Sequence, residues 1–143
     1  PDYQARASAA FAQGNLGKAM RYAKSEDFIE RKDHIISLLR HVEQMDLSEM
    51  LAVIKDLGTR KDEVRDYIDL MVLWYRDVLL FKATKDINQL LFQDEASYIS
   101  REASHRSYEK IEEILQAFEK AKVRLNANVN FDITMELMLL TLK

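Results

Sequence analysis

The chain has 143 residues, 48% of them apolar and 31% charged, with a net charge of −3. That length and composition belong to a folded domain with its own core, not to a disordered segment. With no cysteine there is no disulfide framework and no thiolate metal site. No apolar run approaches the ~20 residues of a membrane helix, and the N-terminus lacks the apolar stretch of a signal peptide. These features fit a cytoplasmic protein, and a sequence that opens on Pro1 instead of Met reads as a segment of a longer chain.

Pro1 is the single proline, and Gly14, Gly17 and Gly58 are the only glycines. A sheet protein of this size needs many tight turns built from such residues, whereas helices need few. The expectation is an all-α helical bundle. Residues 1–24 carry Arg6, Lys18, Arg21 and Lys24 against Asp2, a net +3, so the remainder carries −6. An acidic body is poorly matched to a phosphate backbone, and strong DNA binding is not expected.

In chain order, residues 3–12 read as a short helix broken at Gly14-Asn15, and Leu16 to Ala23 as a second one. Ser25 is a helix N-cap, and the helix beyond it is expected to reach about Met45 on a stripe of Phe28, Ile35, Leu39 and Val42. A shorter helix follows Asp46 or Ser48, with Leu47, Leu51, Ile54 and Leu57 on one side. Gly58 reads as its C′ residue, and Thr59 with Asp62 as a capping box for the next helix.

That helix, about Arg60 to Ala83, is apolar on two faces. Val64, Ile68, Met71, Tyr75 and Val78 form one stripe; Leu70, Leu73, Trp74, Asp77 and Phe81 form another. Such a helix is either central or presents its outer face to another chain. On the second reading Leu70, Leu73, Trp74 and Phe81 are the candidate subunit-interface residues. Trp74-Tyr75 as a platform for stacked bases is disfavoured, because such platforms sit among lysines and arginines.

Residues 84–106 are broken and polar. Asp86 with Gln89 suits the cap of a short helix carrying Leu90, Leu91 and Phe92, and Ala96, Tyr98 and Ile99 mark another. From about Ser107 an amphipathic helix reaches Leu125 on Tyr108, Ile111, Leu115, Phe118, Ala121 and Leu125. The run Phe131–Leu142 alternates at first as a strand would. Its Met, Leu and Glu content and the N-cap offered by Asn130 instead mark a mostly buried terminal helix.

Catalytic signatures are missing. Glu102 and His105 have the Glu-x-x-His spacing of a di-iron bundle, but no second copy accompanies them. Arg101 with His105 approaches the Arg/His pattern of small helical ribonucleases, one residue short. There is no phosphate loop, nucleophile elbow or dinucleotide fingerprint. The expectation is no catalytic residue, no cofactor and no metal.

Three segments carry a family resemblance. Ala9-Ala-Phe-Ala-Gln-Gly-Asn-Leu-Gly-Lys-Ala-Met20 resembles the end of the lid subdomain of AAA+ clamp-loader subunits. Asp69–Phe81 looks like their long central helix. Leu125-Asn-Ala-Asn-Val-Asn-Phe-Asp-Ile-Thr-Met-Glu-Leu-Met-Leu-Leu-Thr-Leu142 is similar to the ending of delta-prime-type subunits of bacterial DNA polymerase III. The resemblance implies that residues 1–24 end the lid and that 25–143 form the helical collar, through which delta, delta-prime and gamma/tau subunits join as a hetero-pentamer. Gly17, where ATP-hydrolysing relatives place an arginine, points to the non-hydrolysing delta-prime type. A gamma/tau collar and an unrelated helical adaptor are the alternatives.

Overall fold

The computed structural model describes residues 26–143, side chains from residue 29 onward. The expected lid helices, Gly17, the cap at Ser25 and the side chain of Phe28 lie outside the described residues. Those described form six α-helices with no strand: α1 Glu26–His41, α2 Leu47–Gly58, α3 Val64–Thr84, α4 Ala96–His105, α5 Tyr108–Asn126 and α6 Phe131–Leu142. The all-α expectation holds.

The central element is α3, 21 residues long, which packs against α1, α4 and α5. Both its stripes are used. Ile68, Met71, Tyr75 and Val78 are buried on one side, Leu70, Leu73, Trp74 and Phe81 on the other. The helix ends at Lys85, which adopts a left-handed backbone (φ 58°) and donates its N–H to the Phe81 carbonyl. That bond satisfies a carbonyl that would otherwise be left without an intrahelical partner.

The caps explain most boundaries. Asp46 accepts from the Glu49 N–H, Ser107 from the Lys110 N–H and Asn130 from the Ile133 N–H, at 2.8, 3.1 and 3.0 Å. Each supplies an acceptor for an orphan donor of a first helical turn. The first helix is shorter than the periodicity predicts. It stops at His41 and continues only as a 3₁₀ turn, Val42–Gln44, before Met45 turns extended. Gly58 is the last residue of α2, not a left-handed terminator, and a Cβ there would lie 3.8 Å from Phe131 Cε1. The Thr59–Asp62 box does not form either. The Thr59 hydroxyl donates back to the Asp56 carbonyl, and α3 starts at Val64 after a 3₁₀ turn.

Two stripes also differ from expectation. In α2 the buried residues are Met50, Ile54 and Leu57, while Leu47 and Leu51 are exposed. In α5 they are Ile111, Ile114, Phe118 and Ala121; Tyr108 is exposed beneath the Lys82 ammonium. In both cases the apolar residues occupy more than one face, and tertiary contact selects which face turns inward.

The segment between α3 and α4 contains only 3₁₀ turns, yet it is firmly held. Asp86 caps the first turn through the Asn88 N–H. Leu90 and Phe92 are buried without being helical. The Asp77 carboxylate, 2% exposed, accepts from the Leu91 and Phe92 N–H groups at 3.0 and 2.8 Å. A carboxylate can sit on the apolar face of α3 because the two amides replace the water it gives up. Burial still dominates and pushes its pKa from 3.8 up to about 6, against the lowering effect of those two bonds.

Candidate interaction surface

The final helix closes the bundle. It lies between α5 and α2. Met135, Met138, Leu139 and Leu142, spaced i, i+3, i+4, i+7, face the core and are at most 1% exposed. At one end Gly58 abuts Phe131; at the other the Lys143 ammonium donates to the Met45 carbonyl at 2.6 Å. Helices α2 and α6 therefore run antiparallel. Buried Arg106 fastens the same end, bonding the Leu142 carbonyl, Glu43 and Glu102, each at 2.6 Å.

The opposite face of α6 is also apolar. Ile133, Leu137 and Leu140, spaced i, i+4, i+7, form a stripe between 44 and 55% exposed. Leu47 and Leu51 of α2 are 58 and 50% exposed. They share a stripe with Gly58, the residue that touches α6, so they edge the α2–α6 seam. Singly exposed apolar residues are ordinary on a protein surface, whereas a row of them at helical spacing is a candidate contact face. Periodicity shows that α6 is apolar but not that half of it is left uncovered, because both faces satisfy a helical pattern.

The interface residues expected from the sequence lie elsewhere. Leu70, Leu73, Trp74 and Phe81 are 2 to 9% exposed, beneath the chain's own elements. That corrects their assignment to a partner-facing surface: the first of the two readings of the two-faced helix, a central position, applies. The Trp74 and Phe92 rings lie 6.0 Å apart. Tyr75 is likewise core, tilted against Phe118, with its phenol pKa raised by burial. Asn130 stands where the sequence places it, at the first turn of α6. Asn128 takes a left-handed backbone, φ 57°, in the turn before it.

A cavity of about 600 Å³ lies between α1 and α4. It gathers Arg101, Glu102 and His105 with Glu43 and Trp74. Glu43 and Glu102 are both committed to Arg106, and Arg40 stacks 3.8 Å over the Tyr98 ring while pairing with Glu95. No nucleophile–base pair arises there. Among the described residues no group of three or more His, Asp or Glu side chains is placed to hold a metal ion, and no helix is long and apolar enough to cross a membrane.

The described residues form an all-helical bundle whose last helix keeps an apolar stripe on its outer face. Residues 25–143 match the family model described as DNA polymerase III, delta subunit, C terminal, and the chain belongs to that family. It is also similar to the DNA polymerase III subunit delta' of Bacillus subtilis (strain 168), with 26% identity over 133 residues. The alignment covers 90% of this chain and 40% of the relative, so the chain spans about two fifths of that relative's length. No solved structure matches the chain.

Proposed function

We propose that residues 25–143 are the oligomerisation (collar) domain of a delta-prime-like clamp-loader subunit, and that residues 1–24 end its AAA+ lid. In this reading the domain joins delta and gamma/tau subunits in a hetero-pentamer, in the bacterial cytoplasm, that loads the sliding clamp onto DNA. The domain itself hydrolyses nothing and holds no cofactor or metal. Its contribution is shape: a rigid bundle that presents a docking face.

The observation that carries this reading is the solvent-facing apolar stripe of α6. A bundle whose last helix is apolar on both faces is complete as a fold and incomplete as a surface. The family match and the relative, named as a polymerase subunit, support the same conclusion. The net charge of −6 over the described body adds that its partners are protein and not the DNA backbone. The buried set Leu70, Leu73, Trp74 and Phe81 serves the interface from below, by fixing α3 and through it α5, against which α6 packs.

The test is reconstitution. The protein, mixed with purified delta and gamma/tau subunits, is expected to co-sediment as one assembly in analytical ultracentrifugation and to bind neither ATP in calorimetry nor duplex DNA below ~1 μM at 150 mM salt. A protein that sediments alone in that mixture is not a collar subunit.

A further inference from the structure

The stripe on α6 is flanked by charges of opposite sign, and these charges form no ion pair among the described residues. Toward α5, a groove of about 190 Å³ is lined by Lys120 and Arg124, with Glu113 further along, against Leu137 and Thr141. Thr141 and Met138 lie on the α5 side of α6. Asp132 and Glu136, four residues apart, therefore stand on the other side of the stripe, toward α2. Basic residues thus border one long edge and acidic residues the other.

Ion pairs form at several places elsewhere in the described molecule, between elements that pack together. Arg31 meets Glu63 and Asp66, Lys32 meets Asp94, and Lys122 meets Asp69. Among the described residues no ion pair includes Lys120, Arg124, Asp132 or Glu136, and none involves α6 at all. Exposed apolar side chains and unpaired charges coincide on the same face.

We infer that the α6 face, Ile133, Leu137 and Leu140 with Leu47 and Leu51 at its margin, receives an amphipathic helix of a different chain. That helix carries acidic residues on the edge facing Lys120 and Arg124 and basic residues on the edge facing Asp132 and Glu136. The inference rests on the oligomerisation reading and deepens it by naming the face and the chemistry of its occupant.

Two observations argue against a second copy of this chain. Its body would bring −6 against −6, and self-repulsion of that kind opposes association. Five half-exposed side chains also fall short of the ~800 Å² per partner of a standard self-sufficient interface. A face of this size suits one contact among several in a larger assembly. The apolar row supplies affinity, and the two charged edges fix which way the incoming helix runs and steer its approach.

The experiment measures assembly of the protein with purified delta and gamma/tau subunits by ultracentrifugation and surface-binding kinetics. Leu137→Ser with Leu140→Ser is expected to weaken assembly about tenfold or more, as loss of central apolar anchors does. Far-UV spectra and thermal melts should change little, because both side chains are already about half exposed. Ile87→Ser, an equally exposed residue on a 3₁₀ turn away from this face, is expected to leave assembly unchanged. Lys120→Glu with Arg124→Glu is expected to slow association several-fold at low salt, with the difference fading as salt rises. Wild-type assembly on stripe replacement, or equal losses at Ile87, overturns the assignment of the face. Self-dimers that the stripe variant abolishes overturn the choice of a different chain. If the wild-type protein joins no subunit at all, the oligomerisation reading fails, and that result differs from a stripe variant that assembles normally.

Discussion

Helices α3 and α6 are both apolar around most of their circumference, and the fold treats them in opposite ways. The first has α1, α4 and α5 around it, and both of its stripes are buried. The second has α5 and α2 beside it and nothing described over its outer face, so Met135 and Met138 are buried while Leu137 and Leu140 are half exposed. Hydrophobic composition alone does not distinguish a core helix from an interface helix. What separates them is the number of neighbours the chain supplies. The difference is measurable: substitutions in α3 should cost folding, and those on the outer face of α6 should cost assembly alone.

The largest effect is expected at Trp74. Truncation to Ala removes a buried ring that packs on Phe92 and leaves a cavity, at a cost of about 3–5 kcal/mol. Chemical denaturation of Trp74→Ala checks it. A loss under 1 kcal/mol would mean that α3 is not the centre of the core. Next comes Arg106, whose guanidinium is held between Glu43 and Glu102 and bonds the last carbonyl of α6. Arg106→Ala is expected to cost about 3 kcal/mol, because two carboxylates and a carbonyl lose their partner together. Hydrogen exchange should show α6 loosening first from its C-terminal end, while amides in the middle of α3 stay protected.

Asp77 sharpens the comparison through pH. Its folded pKa lies above the ordinary value, so the folded state holds its proton more tightly than the unfolded chain does. The stability this group contributes is then fully present below about pH 4 and is lost as pH rises through about 6. The difference between 3.8 and about 6 corresponds to roughly 3 kcal/mol. Asn in its place keeps one acceptor for the Leu91 and Phe92 amides and cannot titrate. Asp77→Asn is therefore expected to remove that component of the pH profile, so the wild type gains on the variant between pH 7 and pH 4.5. Parallel profiles of the two proteins in urea melts would show that the carboxylate does not titrate in this range.

Asn130, at the joint between α5 and α6, is expected to have a smaller effect. Its side chain accepts the Ile133 N–H and its carbonyl accepts the Thr134 hydroxyl at 2.8 Å. Asn130→Ala removes only the first of these and should cost about 1 kcal/mol. Asn126→Ala should cost less, since Asn126 is the last residue of α5 and no side-chain bond restrains it among the described residues. Thermal melts of the pair test this, and equal losses would mean that the bond to Ile133 contributes nothing.

The particulars show what local pattern carries. Asn130, Ser107 and Asp46 were legible because a cap is a local event, one side chain reaching an N–H three residues on. Thr59 with Asp62 fits the same template and fails, because the Thr59 hydroxyl finds the Asp56 carbonyl closer to hand. The inner stripes of α2 and α5 were partly misread, and the reason is tertiary. Leu47 and Leu51 are as apolar as Met50 and Leu57, and only the way α2 seats on the bundle decides which of them is covered. The proposed docking face has no local signal at all. It emerges from a subtraction, the apolar face of α6 minus the part that the bundle uses, and that requires the packed structure.

The smallest effect on folding is expected at Leu137, and it is the most informative about the comparison. The side chain is 44% exposed, turned away from the core that Met135 and Met138 fill, so truncation opens no enclosed cavity. Ala is a slightly better helix former than Leu, which offsets what little apolar contact Leu137 makes with the α5 groove. Leu137→Ala should therefore change stability by no more than about 0.5 kcal/mol, the range of ordinary surface substitutions. Met138→Ala, one residue on, is expected to cost about 2–5 kcal/mol, because Met138 is 1% exposed and its removal leaves a void. Adjacent residues of one helix, both apolar, would then differ several-fold in what they do for the fold. A urea melt of the two variants in parallel checks the contrast. If Leu137→Ala proves as damaging as Met138→Ala, the outer face of α6 is covered within the chain itself, and the two apolar helices are alike after all.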